Sequence, residues 1–116
     1  MGKGTEKTKE QRIKAEKNRL SKVFASIDPN QLKVAQALIE RAAFITVGLQ
    51  ELEEELNEKG WTEIYANGNQ MGVKRSAAAD VHISLTKNMT VIIKQLLDIT
   101  PAAKKKDSRL QQLANE

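Results

Sequence analysis

The sequence predicts a mainly α-helical chain. Its expected centre is a long antiparallel helical hairpin with a short β-hairpin or flap between the two helices. A basic N-terminal helix precedes it and a short C-terminal helix follows. Three observations lead there. Apolar residues recur at spacings of three and four through Ala35, Leu38, Ala42, Ile45, Leu49, Leu52 and Leu56, a heptad seam. His82, Leu85, Met89, Ile92 and Leu96 repeat in the same way. The only aromatics are Phe24, Phe44, Trp61 and Tyr65, so Leu, Ile, Val and Ala must build the core, which suits helix packing.

The first segment, 1–27, divides into an opening and a helix. Met1 to Thr5 is expected to be disordered. Glu6 to Ala25 holds good helix formers and no proline. Its apolar residues Ile13, Leu20, Val23, Phe24 and Ile27 form a stripe too sparse to hold an isolated helix, so fraying is expected until it packs on a partner or a polyanion. Asp28 then caps the next helix and Pro29 takes its first position, where the missing N–H costs nothing.

The second segment, 28–100, carries the helical hairpin. From Asn30 to Lys59 the one internal breaker is Gly48. Ile39, Ala43, Phe44 and Val47 widen the apolar stripe in the first half, which implies burial on more than one side. The second half narrows and presents Glu51, Glu53, Glu54, Glu55 and Glu58 to solvent. Gly60 ends the helix. Residues 61–75 form the flap. Trp61 to Tyr65 alternates apolar and polar, Asn67-Gly68-Asn69 signals a turn, and Met71 to Lys74 returns. Two strands alone are marginal in water, so the flap is expected to lean on the helices or a neighbour. Ser76 caps the next helix and Asp80 complements its dipole. In the third segment, 101–116, Thr100 and Pro101 open a short basic helix.

Charge is uneven. Residues 1–22 hold eight basic against three acidic side chains, 23–103 hold seven against ten, and 104–109 hold four against one. A mildly acidic body with two basic ends attracts polyanions through counterion release, although lysine-rich ends also serve solubility alone. The candidate nucleic-acid contacts are Lys7, Lys9, Arg12, Lys14, Lys17, Arg19 and Lys22 at one end and Lys104, Lys105 and Lys106 at the other. Lys74 and Arg75, between flap and helix, join them. On a helix the first seven do not share one face.

Enzyme chemistry finds no foothold. There is no Gly-x-x-x-x-Gly-Lys-Ser/Thr phosphate loop. With one histidine, His82, and no cysteine, a zinc site lacks ligands. Glu53, Glu54 and Glu55 are consecutive and point to different helix faces, as a solvated acidic surface does. No catalytic residue, cofactor or metal is expected, and no apolar run approaches membrane length. The breadth of the stripe predicts a homo-oligomer larger than a dimer, held by Leu38, Ala42, Ile45, Leu49, Leu52 and Leu56.

The ordered set Leu52 to Leu56, Gly60, Asn67-Gly68, Lys74 and Leu97 to Ala103 resembles the small terminase subunit of tailed phages and prophages. The ending Leu97-Asp98-Ile99-Thr100-Pro101-Ala102-Ala103, followed by lysines, carries most of the likeness. The resemblance spans about half the chain. It departs at the start of the last long helix, where that family often has proline and this chain has Ser76-Ala77-Ala78. What the resemblance implies is a non-catalytic, ring-forming protein in the cytoplasm of a bacterial host. Its partners would be double-stranded viral DNA and the large terminase subunit, which carries the ATPase and nuclease. Two other readings stand beside it. A small dimeric DNA-binding regulator needs a compact helix-turn-helix, and no short three-helix unit is visible. A coiled-coil adaptor that binds no nucleic acid would use its basic ends for solubility alone.

Overall fold

The computed structural model describes residues 7–101. Three helices and one β-hairpin follow in the order α1 (Lys9–Val23), a 3-10 turn (Pro29–Gln31), α2 (Leu32–Lys59), β1 (Thr62–Asn67), β2 (Gln70–Arg75) and α3 (Ala77–Asp98). The molecule is extended, measuring 60 × 37 × 29 Å along its principal axes. Helix α2 is central, with α1 and α3 each packed along it. The pairs Lys9–Glu51 and Lys17–Glu40 make α1 antiparallel to α2, and His82 at Glu53 with Leu85 at Gly48 do the same for α3.

The first helix starts later than Glu6 and stops before Ala25. Thr8 sets the start: its hydroxyl accepts from the Gln11 N–H, and the Gln11 side chain accepts from the Thr8 N–H. This reciprocal cap satisfies two donors that the first turn leaves without partners. The thin apolar stripe finds its cover within the chain rather than on a partner. Leu20, Phe24 and Ile27 are buried in one cluster with Ala35, Ile39, Ala42, Ala43 and Ile45 of α2 and Ile92 and Leu96 of α3. Asp28 and Pro29 act as expected, but on a 3-10 turn. The Asp28 carboxylate accepts from the Asn30 N–H at 2.9 Å, and the α-helix proper begins at Leu32.

The broad stripe on α2 is explained by its two neighbours. Ala42 and Ile45 lie in the core cluster, Leu38 and Leu49 pack against it, Leu56 is buried and Leu52 half-buried. The six residues assigned from sequence to self-association are thus occupied, wholly or in part, within the single chain. Gly60 ends α2 with φ +90° and its N–H donates to the Leu56 carbonyl.

Strands β1 and β2 pair antiparallel, with Ile64 opposite Val73, Tyr65 opposite Gly72 and Ala66 opposite Met71. The two-residue loop places Gly68 first, at φ +64°, the arrangement of a II′ turn whose twist suits a hairpin. Neither strand packs extensively on a helix. Register puts Ile64, Ala66, Met71 and Val73 on one face, and all four are exposed. The Tyr65 ring lies across the opposite face over Gly72, filling the space a side chain there would take.

Ser76 caps α3 by accepting from the Ala79 N–H at 3.2 Å. At the far end Thr100 contributes to the finish of α3. Its hydroxyl, 7% exposed, donates to the Leu96 carbonyl at 2.7 Å, satisfying one of the acceptors that α3 leaves free. The expected disorder of Met1 to Thr5, the C-terminal helix, and Lys104, Lys105 and Lys106 lie outside the described residues.

Candidate nucleic-acid interface

The cations of α1 divide into two groups. Four have protein partners. Lys9 Nζ pairs with Glu51 at 3.1 Å and lies 5.5 Å from the centre of the Phe44 ring. Arg12 donates to the Gln50 side chain at 2.6 Å. Lys17 reaches Glu40 at 3.4 Å. Arg19 forks onto Glu16 one turn back, at 3.0 and 2.5 Å. That hydrogen-bonded carboxylate raises the Arg19 pKa above its ordinary value, outweighing partial desolvation. Exposed pairs of this kind contribute about 1 kcal/mol or less each, so the contacts of Lys9, Arg12 and Lys17 orient α1 on α2 rather than fasten it, while Arg19–Glu16 acts within α1.

The second group is Lys7, Lys14 and Lys22. All three are exposed and none forms an ion pair with another described residue. Lys14 and Lys22 are eight residues apart on α1, so they project from the same side, two turns apart, with Asn18 between them. Lys7 sits just before the cap. It also lines a shallow groove of about 250 Å³ between α1 and α2, together with Arg12, Arg19 and Glu16. Three cations against one carboxylate suit a phosphate oxygen there, because both guanidinium groups keep N–H donors beyond those already bonded.

The flap cations are engaged locally. Lys74 pairs with its cross-strand neighbour Glu63 at 3.6 Å, and Arg75 with Asp80 at 3.1 Å. Trp61 anchors the hairpin base, its ring edge-on to His82 with centroids 5.3 Å apart. His82 Nε2 in turn meets Glu53 at 3.0 Å, so residues from the hairpin base, α3 and α2 converge at that corner. The structure thus gathers Lys7, Arg12, Arg19, Lys14 and Lys22 along α1 and places Lys74 and Arg75 on the separate hairpin. Among the described residues no group of His, Cys, Asp or Glu is arranged to hold a metal ion, and no helix is long and apolar enough to cross a membrane.

Sequence reading missed which cations would be consumed internally. For Lys9 and Lys17 the signal was nonlocal, in the acidic positions of α2 that an antiparallel α1 meets; for Arg19 it was local, in Glu16 three residues back. No family model matches this chain, and comparison with curated proteins and with solved structures finds no match either.

Proposed function

We propose that the chain is a small terminase subunit of the tailed-phage type. In this reading it binds viral double-stranded DNA, assembles with copies of itself beyond the dimer, and presents the DNA to a large terminase subunit in the bacterial cytoplasm. It performs no chemistry itself. The observation that carries the reading is the ordered motif set, Leu52 to Leu56, Gly60, Asn67-Gly68, Lys74 and Leu97 to Ala103, together with a basic helix α1 ahead of it. The helix–hairpin–helix frame supports it by setting the described part of these motifs, Leu52 to Leu56, Gly60, Asn67-Gly68, Lys74 and Leu97 to Pro101, in one continuous unit. The open cations Lys7, Lys14 and Lys22 support the DNA part.

The test is a titration of duplex DNA at two salt concentrations. Wild type should bind with a steep salt dependence. Replacing Lys7, Lys14 and Lys22 together by Gln should weaken binding and lower the log–log salt slope by about 0.9 for each phosphate no longer neutralised. Purified protein should show no ATP turnover or DNA cleavage, yet should alter those rates in its cognate large subunit. One observation favours a second reading, the adaptor that binds no nucleic acid: Lys9, Arg12, Lys17 and Arg19 already have protein partners. Absence of binding by wild type even at low salt would establish that reading instead.

A further inference from the structure

With the Leu38-to-Leu56 seam occupied inside the chain, α2 still carries a second one. Val34, Ala37, Arg41 and Phe44 follow one another at spacings of three, four and three. This is a helix-contact register displaced by one residue from the core-facing Ala35, Leu38, Ala42 and Ile45. All four are exposed, Val34 and Phe44 at 51% each. Beside Phe44 lies a groove of about 350 Å³ bordered by Ala37, Glu40, Arg41 and Phe44 itself. An aromatic ring held half in water on a rigid helix, next to a hollow opened by an alanine, is an unfinished contact.

We infer that a second copy of this chain docks on this ridge, antiparallel, about a two-fold axis passing between residues 40 and 41. The ridge is complementary to itself in that orientation and not in the in-register parallel one. Antiparallel pairing sets Phe44 over Ala37 of the second copy and Ala37 under its Phe44, so each ring fills the other's hollow. It sets Arg41 toward Glu40 in both directions. Parallel pairing sets Arg41 against Arg41 and leaves both hollows empty. A contact that Ala37, Glu40, Arg41 and Phe44 each make twice is the isologous kind that closes a dimer. Lys9 rests near one side of the Phe44 ring and leaves the rest of it open. Glu40 is shared with Lys17 through a long, exposed pair, which a carboxylate with several acceptor sites accommodates. The inference rests on the assembly part of the proposed function and supplies one pairwise contact of it; a two-fold contact closes a pair, so growth beyond the dimer uses a second surface, and nothing is required of the DNA part.

Sedimentation equilibrium of the full chain across micromolar concentrations tests it. Wild type should self-associate reversibly. Arg41→Glu, which places two carboxylates face to face on each side of the axis, should weaken association at least about tenfold. Phe44→Glu should do the same. The charge-swapped Glu40→Arg/Arg41→Glu chain should recover association, because the exchanged guanidinium and carboxylate then meet across the axis with opposite signs restored. Helical circular dichroism should be equal in all, which separates a docking defect from a folding defect. A wild-type oligomer whose mass ignores Arg41→Glu and Phe44→Glu, or a charge swap that recovers nothing, overturns this surface and leaves the assembly reading standing. A wild type that stays monomeric overturns both.

Discussion

Single residues set the ends of every element, and Gly48 shows what one residue withholds. It is the only glycine inside α2, where it costs about 0.5–1 kcal/mol relative to alanine through backbone entropy. The space beside it is adequate. A methyl group there would meet the Leu85 side chain at 3.9 Å, an ordinary contact. Gly48→Ala should therefore stabilise the chain by up to about 1 kcal/mol, read as a higher urea midpoint with an unchanged slope. A lower midpoint would mean that α3 must sit closer to α2 at this point than the contact distance indicates. Thr8 and Thr100 carry a different lesson. Both are capping residues, but Thr8 serves the helix after it and Thr100 the helix before it. A threonine hydroxyl can accept from the helix ahead of it or donate to the one behind it, and at Thr100 the donating contact is the one seen.

At the scale of elements, the amphipathic stripes and their stops were legible. The α2 seam, the Gly60 stop, the hairpin and the Ser76 cap follow from local chemistry and stand where the pattern places them. The role of α1 was not. Its stripe is thin because only Leu20, Phe24 and Ile27 enter the cluster, and Ile13 touches it from the side. Three apolar side chains near one end give little periodic signal, although they are enough to dock a helix when α2 offers Ala35, Ile39 and Ala42 to receive them. The difference between core and rim is testable on α3 and α2. Leu96 is fully buried, and Leu96→Ala should cost about 2–5 kcal/mol of unfolding free energy. Val34→Ala, on the open ridge, should change monomer stability by no more than about 0.5 kcal/mol. Equal destabilisation at both sites, measured by chemical unfolding at concentrations where the chain is monomeric, would place Val34 in a core the fold does not show.

For the whole molecule, the interlocking of α1 with the body decides how its basic surface must be probed. Removing residues 1–22 would take Leu20 out of the core and expose what Phe24 and Ile27 leave uncovered, so a DNA-binding defect in that truncation would report unfolding as readily as missing charge. Side-chain neutralisation at Lys7, Lys14 and Lys22 leaves packing untouched and reads the charge alone. The candidate site was legible in the sequence only as a composition: eight cations in 1–22. Arg19 is held by Glu16 one turn back, a spacing the sequence shows, but Lys9 and Lys17 find acids 42 and 23 residues further along the chain, at Glu51 and Glu40. Pairing across such a distance is fixed by the antiparallel register of two helices, which no local pattern encodes.

The closed neck of the β-hairpin has a consequence for how this chain tolerates change. The Ser76 N–H donates to the Trp61 carbonyl at 3.0 Å, so the chain leaves and re-enters the helical body at almost the same point. Everything between is a cassette attached through one doorway. Its length and sequence are free to vary without moving either helix, as in natural insertions at exposed turns. Excising residues 63–74 and joining the remaining ends with a short glycine-rich turn should preserve the helical circular dichroism and the cooperative unfolding of the body. A foreign hairpin grafted at the same neck should be carried just as readily.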